Sequence, residues 1–149
     1  MLKIYPMKKF FKRLYLTYIK PNQDTGQVYS GKASGVDDES LTQEELADKI
    51  LNKRDSSHHK NEDGFDRAIL DVVSYDADAI RGREQDLIEY YGGVQSDDGE
   101  SGNIINGISK RNKKRNEYRD ASKKLFGKLM IIFLISYPIY LLFELWARK

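Results

Sequence analysis

Four side chains of this sequence have types and local spacing that could cut a phosphodiester. Tyr29 stands two residues before Gly31. Arg54 stands four before His58. Glu84 lies just ahead of the apolar pair Leu87-Ile88. A tyrosine can orient a water, or deprotonate it if its pKa is lowered. An arginine offers a planar fork to the charge that builds on phosphate oxygens, and a nearby histidine can carry a proton or bind phosphate. A carboxylate can hold one divalent metal. Gly31 permits close backbone approach.

Each of these residues also has an ordinary explanation. Tyr29-Ser30-Gly31 reads equally as a strand tyrosine and a turn glycine. Arg54 and His58 share one face if their segment is helical, and a solvated helix end would look the same. Glu84 sits on the apolar face between Ile80 and Leu87, where a carboxylate needs a metal or a paired arginine, and Arg81 and Arg83 are at hand. Asn103 and Asn106 could fix a phosphate or a metal-bound water, but Asn106-Gly107 is also a strong turn dipeptide. The absence of cysteine excludes disulfides, thiolate metal sites and cysteine nucleophiles. His58 and His59 are the only histidines, and adjacent side chains diverge, so a metal site built on the two is not expected.

The elements that must position these groups follow from local pattern. Arg13 to Ile19 is aromatic and branched and reads as a strand. Pro21 to Gly26 is a turn, with Gly26 available for positive φ, and Gln27 to Tyr29 is a second strand of a hairpin. Gly31 to Gly35 reads as a loop leaving that strand. Thr42 and Glu45 form a capping box, with Leu46, Ile50 and Leu51 at helical spacing, so residues 43–54 are expected to be helical. Ser56 to Gly64 is loop-like, and strand character is expected near Ile69 to Ser74. Asp76 to Tyr91 carries Ala77, Ile80, Glu84, Leu87, Ile88 and Tyr91 on one helical face, and Gly92-Gly93 stops it.

Charge is unevenly spread over the 149 residues, although the net value is only +2. Residues 1–20 carry six Lys/Arg and no acid, residues 36–100 carry nineteen Asp/Glu against seven Lys/Arg, and residues 108–128 carry nine Lys/Arg against two acids. Lys110, Arg111, Lys113, Lys114 and Arg115 read either as contacts to nucleic-acid phosphates or as the positive flank of a membrane anchor. The anchor would be residues 129–147. From Leu129 to Trp146 eighteen residues contain one acid, Glu144, and span about 27 Å as a helix, near the hydrocarbon thickness of a bilayer. The N-terminal apolar runs are too short for a cleavable signal.

Taken together, Leu16-Thr17-Tyr18, Tyr29-Ser30-Gly31, Arg54 with His58, Glu84 with Leu87-Ile88, and Asn103 or Asn106 resemble, in order, the motifs of the GIY-YIG endonuclease superfamily. The form is like the nuclease domains at the ends of bacterial polymorphic toxins. The first tripeptide keeps only its tyrosine, and the gap from Gly31 to Arg54 is longer than expected. The resemblance implies an α/β (α+β) fold, a small mixed sheet with flanking helices. It implies Tyr18, Tyr29, Arg54, His58, Glu84, Asn103 and Asn106 as catalytic residues, with Glu84 holding Mg²⁺ or Mn²⁺. Gly31, Lys32 and the basic residues of 110–115 would bind substrate.

These readings divide the chain into a basic lead-in (1–12), the nuclease-like domain (13–116), a basic linker (117–128) and a C-terminal membrane helix (129–147). The expected function is metal-dependent endonuclease action on DNA or RNA by a domain tethered on the cytoplasmic side of a bilayer, with an immunity protein as partner if the protein is a toxin. The competing expectation is a non-catalytic, membrane-anchored interaction module. It rests on the reduced first tripeptide and on an acidic middle that repels nucleic acid. A convergence of Tyr29, Arg54 and Glu84 discriminates the two.

Overall fold

In the computed structural model, Arg13–Pro21 forms strand β1, and its alternation is that of a strand buried on both faces. Leu14, Leu16, Tyr18 and Lys20 are fully buried toward one side, and Thr17 is fully buried toward the other. The structure describes residues 12–127. A turn held by the Asn22 side chain, which accepts from the backbone N–H of Asp24 and Thr25, leads through Gly26 (φ +73°) into β2, Val28–Val36. β3, Ile69–Ser74, pairs with the other edge of β1, giving the order β2-β1-β3.

Both pairings are antiparallel, so the sheet is antiparallel throughout and not mixed as expected. The chain leaves β2, crosses one face and returns beyond β1, so the two strands that share a direction are never neighbours. β2 also runs on through Gly31 to Gly35, the stretch expected as a loop. Nine residue pairs with β1, from Arg13↔Val36 to Pro21↔Val28, outweigh the weak strand propensity of its glycines and serines.

Helix α1, Gln43–Asp55, starts at the expected capping box and packs Leu46, Ala47, Ile50 and Leu51 on Leu14, Leu16 and Tyr18. Helix α2, Ala77–Tyr90, capped by Asp76, lies on the opposite face with Ala79 and Ile80 against Tyr15 and Val72. A third helix, α3, occupies residues 115–127. It buries Tyr118, Ser122 and Phe126, spaced by four, so the expected linker is part of the domain up to residue 127. Its backbone crosses α2 at Gly82, where a Cβ would stand 2.0 Å from the Tyr118 carbonyl oxygen. Among the described residues no helix is long and apolar enough to cross a membrane, and the run 129–147 lies outside them.

Candidate active site

Tyr18 is the centre of a cluster on the α1 side of the sheet. Its hydroxyl lies 2.9 Å from His58 Nε2 and accepts a hydrogen bond from Arg54 Nε at 3.1 Å. Tyr29 stands one strand away, its ring 6.5 Å from that of Tyr18 and edge-on to both His58 (5.0 Å) and His59 (5.6 Å). Gly31 pairs with Tyr18, and a Cβ there would lie 2.6 Å from the Tyr18 ring, so the ring needs a glycine at this position.

Arg54 reaches Tyr18 from the last turn of α1, as its helical position requires. His58 does not share that helix. α1 ends at Asp55, and His58 caps a 3₁₀ turn, His59–Asn61. Two contacts fix this short connection. Lys20, fully buried on β1, bonds Asp55 and Asn61, and Asp55 also accepts from the Ala68 N–H. The N–H of Lys60 donates to His58 Nδ1 at 3.1 Å.

That last bond decides the chemistry of the cluster. Nδ1 is an acceptor, so the neutral ring carries its proton on Nε2 and donates it to the Tyr18 oxygen. The Tyr18 oxygen therefore receives two N–H donors, and its own proton is left to point outward. Burial, with the positive charge of Arg54 second, pushes the His58 pKa down to about 4, so the ring is neutral at ordinary pH. His58 is a fixed donor here, not a base. Burial raises Tyr18 to about 12 against the lowering effect of Arg54, and Tyr29 is raised by burial and then by the charge of Glu84.

Glu84 comes from α2, on the other face of the sheet, and its charge contributes to raising both phenols. Its expected arginine partners are engaged elsewhere. Arg83 is bidentate to Asp71 at 2.8 and 2.7 Å, and Arg81 lies over the Tyr118 ring. The ion pair of Glu84 is instead with Lys32 of β2. A bulge in the β1–β3 pairing leaves Asp71 unpaired between Val72, opposite Thr17, and Leu70, opposite Tyr18, and the Thr17 hydroxyl donates to it at 2.7 Å. The bulge thus fixes Arg83 and, through the adjacent residue, the direction of Glu84. The backbone of Gly107 closes over the carboxylate, since a Cβ there would lie 2.6 Å from Oε2.

Among the described residues no group of three or more His, Asp or Glu is arranged to hold a metal. The donor set nevertheless fits Mg²⁺. That ion is commonly held by one or two carboxylates with water and phosphate oxygens completing the shell. Glu84 is such a carboxylate, and the half-exposed Lys32 ammonium shows that the position accepts a cation.

The two asparagines have different partners. Asn103 accepts from the Ser30 N–H and donates to the Ser30 carbonyl, both at 2.8 Å, so it closes the free edge of β2 beside Tyr29. Asn106 accepts from Gln85 at 2.8 Å and is not part of the tyrosine cluster. In the basic stretch, Lys110 pairs with Asp97, Lys114 with Glu117, and Arg115 with Glu89 and the Ile108 carbonyl. Sequence reasoning missed Lys20, Asp55, Asp71 and Gly82. A lysine at an inward position of a strand was the one available signal. No family model, curated protein or solved structure matches this chain.

Proposed function

We propose that this chain is a metal-dependent endonuclease of the GIY-YIG kind, hydrolysing phosphodiester bonds of nucleic acid. One observation carries the reading. Tyr18, Tyr29 and Arg54, drawn from two strands and a helix, meet at one place with His58, while Glu84 stands on the α2 side of the sheet, paired with Lys32. Arg54 also makes no salt bridge among the described residues, unlike Arg83, so its charge is available to phosphate oxygens.

In this reading Tyr18 and Tyr29, whose pKa values burial raises, stay protonated and orient the attacking water by hydrogen bonding; they do not take its proton, which passes to solvent. Arg54 stabilises the charge on the phosphate as the water oxygen bonds to phosphorus and the ester oxygen departs. His58 and Lys20 hold the phenol and the loop in place. Glu84 would hold Mg²⁺ or Mn²⁺, which supplies further positive charge to the phosphate and the leaving oxygen. Lys32 is the group that must move aside for it.

The tether is carried over from the apolar run 129–147, with the basic residues ahead of it keeping the domain on the cytoplasmic side. Recovery of the chain in the soluble fraction after alkaline carbonate washing would overturn the tether alone. The catalytic reading is tested by incubating the full chain with DNA and RNA in Mg²⁺. Cleavage that disappears in Glu84→Ala is expected. No cleavage of either polymer, or equal cleavage by the variant, would sink the reading.

A further inference from the structure

The geometry points to the seam between α1 and β2 as the track for an unpaired polynucleotide strand flanking the scissile phosphate. This inference rests on the nuclease reading and adds to it the form of the substrate. A groove of about 480 Å³ opens there, with Ala33, Leu46 and Ile50 as an apolar floor and Lys49, Lys53 and Arg54 along one rim. Arg54 belongs both to this rim and to the tyrosine cluster, so the groove begins at the site and leads away from it.

Charge selects the occupant. Of the seven Lys/Arg in residues 36–100, three are committed to internal partners. Lys60 pairs with Asp63, Arg83 is locked to Asp71, and Arg81 covers Tyr118. Three of the other four are the groove cations. Lys53 has no ion pair among the described residues, and Lys49 has only a loose one with Asp38 at 3.7 Å, as the exposed Arg67 outside the groove has with Asp55 at 4.0 Å. An acidic stretch that would repel nucleic acid thus places three of its four loosely held cations along one line that ends at the site. The basic segment 110–115, the obvious binding surface from the sequence, holds three of its cations against Asp97, Glu117 and Glu89.

Size and lining select the form. The volume is that of a small-ligand pocket, roughly 300–1,000 Å³, enough for about one or two nucleotide units and too small for a duplex. The floor is apolar and without aromatic rings, so a base is covered there with little preference among the four. The rim lysines meet the backbone phosphates.

The test is equilibrium binding of the full chain carrying Glu84→Gln, which prevents cleavage, to short labelled single strands of DNA and RNA and to the matching duplex. Lys49→Gln with Lys53→Gln is expected to weaken binding to at least one single strand about tenfold at moderate salt. The slope of log affinity against log salt should flatten by about 1.4, two single-strand contacts at ~0.7 each. The Lys49→Arg, Lys53→Arg pair should restore both, which separates lost charge from lost fold. An unchanged salt slope, tighter binding of the duplex than of either strand, or a larger loss from Arg111→Gln with Lys113→Gln overturns the track. Failure of the parent chain to bind any nucleic acid overturns the nuclease reading itself, which is a different result.

Discussion

Two polar networks flank β1, and they differ in one respect. On the α2 side, Arg83, Asp71 and Thr17 form a closed set. The guanidinium is bidentate to its own carboxylate, and that carboxylate takes the threonine hydroxyl as well. On the α1 side, Arg54 is bonded to neutral phenols, Tyr18 through Nε and Tyr29 beside it, and no acid of the described residues makes a salt bridge with it. A buried cation with its counter-ion inside the fold is a structural member. A cation left without one is a position for an anion brought from outside. The two arginines look alike in the sequence, and their partners alone separate them.

The strongest way to break this comparison is to delete the internal counter-ion. Asp71→Ala leaves Arg83, 5 % exposed, without its partner and is expected to cost about 3–5 kcal/mol in denaturant unfolding. Arg54→Ala should cost less than ~1 kcal/mol in the same assay. Equal destabilisation by the two would make Arg54 a structural arginine.

Next in size is the loss of catalysis. Arg54→Lys keeps the charge and loses the fork, and a fall in cleavage rate of about 10²–10³ is expected with the melting temperature unchanged. Full activity in this variant would remove Arg54 from the phosphate.

Gly31→Ala sharpens the comparison by moving Tyr18 without touching a charge. The added Cβ meets the ring at 2.6 Å, so a loss of about 1–3 kcal/mol in stability is expected together with a clear drop in cleavage. The corresponding change at Gly26, at an open turn with φ +73°, should cost stability through backbone strain alone and leave cleavage rates unaltered.

The mildest perturbation is a change of pH. The folded pKa of His58, about 4, is below its ordinary value of 6.5, so on acidification the unfolded chain takes up this proton first. The stability tied to neutral His58 is therefore complete above about pH 6.5 and is lost as pH falls toward 4, by roughly 1 kcal/mol per unit. His58→Asn should flatten this part of the stability profile. An unchanged profile would mean that the ring is already charged in the fold, with both nitrogens protonated and Nδ1 unable to accept from the Lys60 N–H.

Much of the fold was legible because its signals are local. The aromatic and branched run from Arg13 to Ile19 marked β1, the Thr42–Glu45 box started α1, and Asp76 with Gly92-Gly93 bounded α2. The residue types of the site were legible too, as was the position of Arg54 on a helix. The reading of residues 31–35 as a loop failed because propensity yielded to pairing with β1. The reading of residues 117–128 as a linker failed because Tyr118, Ser122 and Phe126 form a buried face that the charged residues interspersed with them obscure.

Caps, periodicity and turn glycines act within a few residues, so the amino-acid order determined the helices, the central strand and the stock of chemical groups. Partnership acts across the chain. Tyr18 and His58 are 40 residues apart, Lys32 and Glu84 are 52, and Ser30 and Asn103 are 73. Tertiary structure alone decided that His58 donates through Nε2, that Glu84 faces a lysine and not an arginine, and that Arg54 has no counter-ion among the described residues. The reason is that a charge or a proton is assigned by what lies within about 3 Å of it, and folding, not sequence proximity, brings those neighbours there.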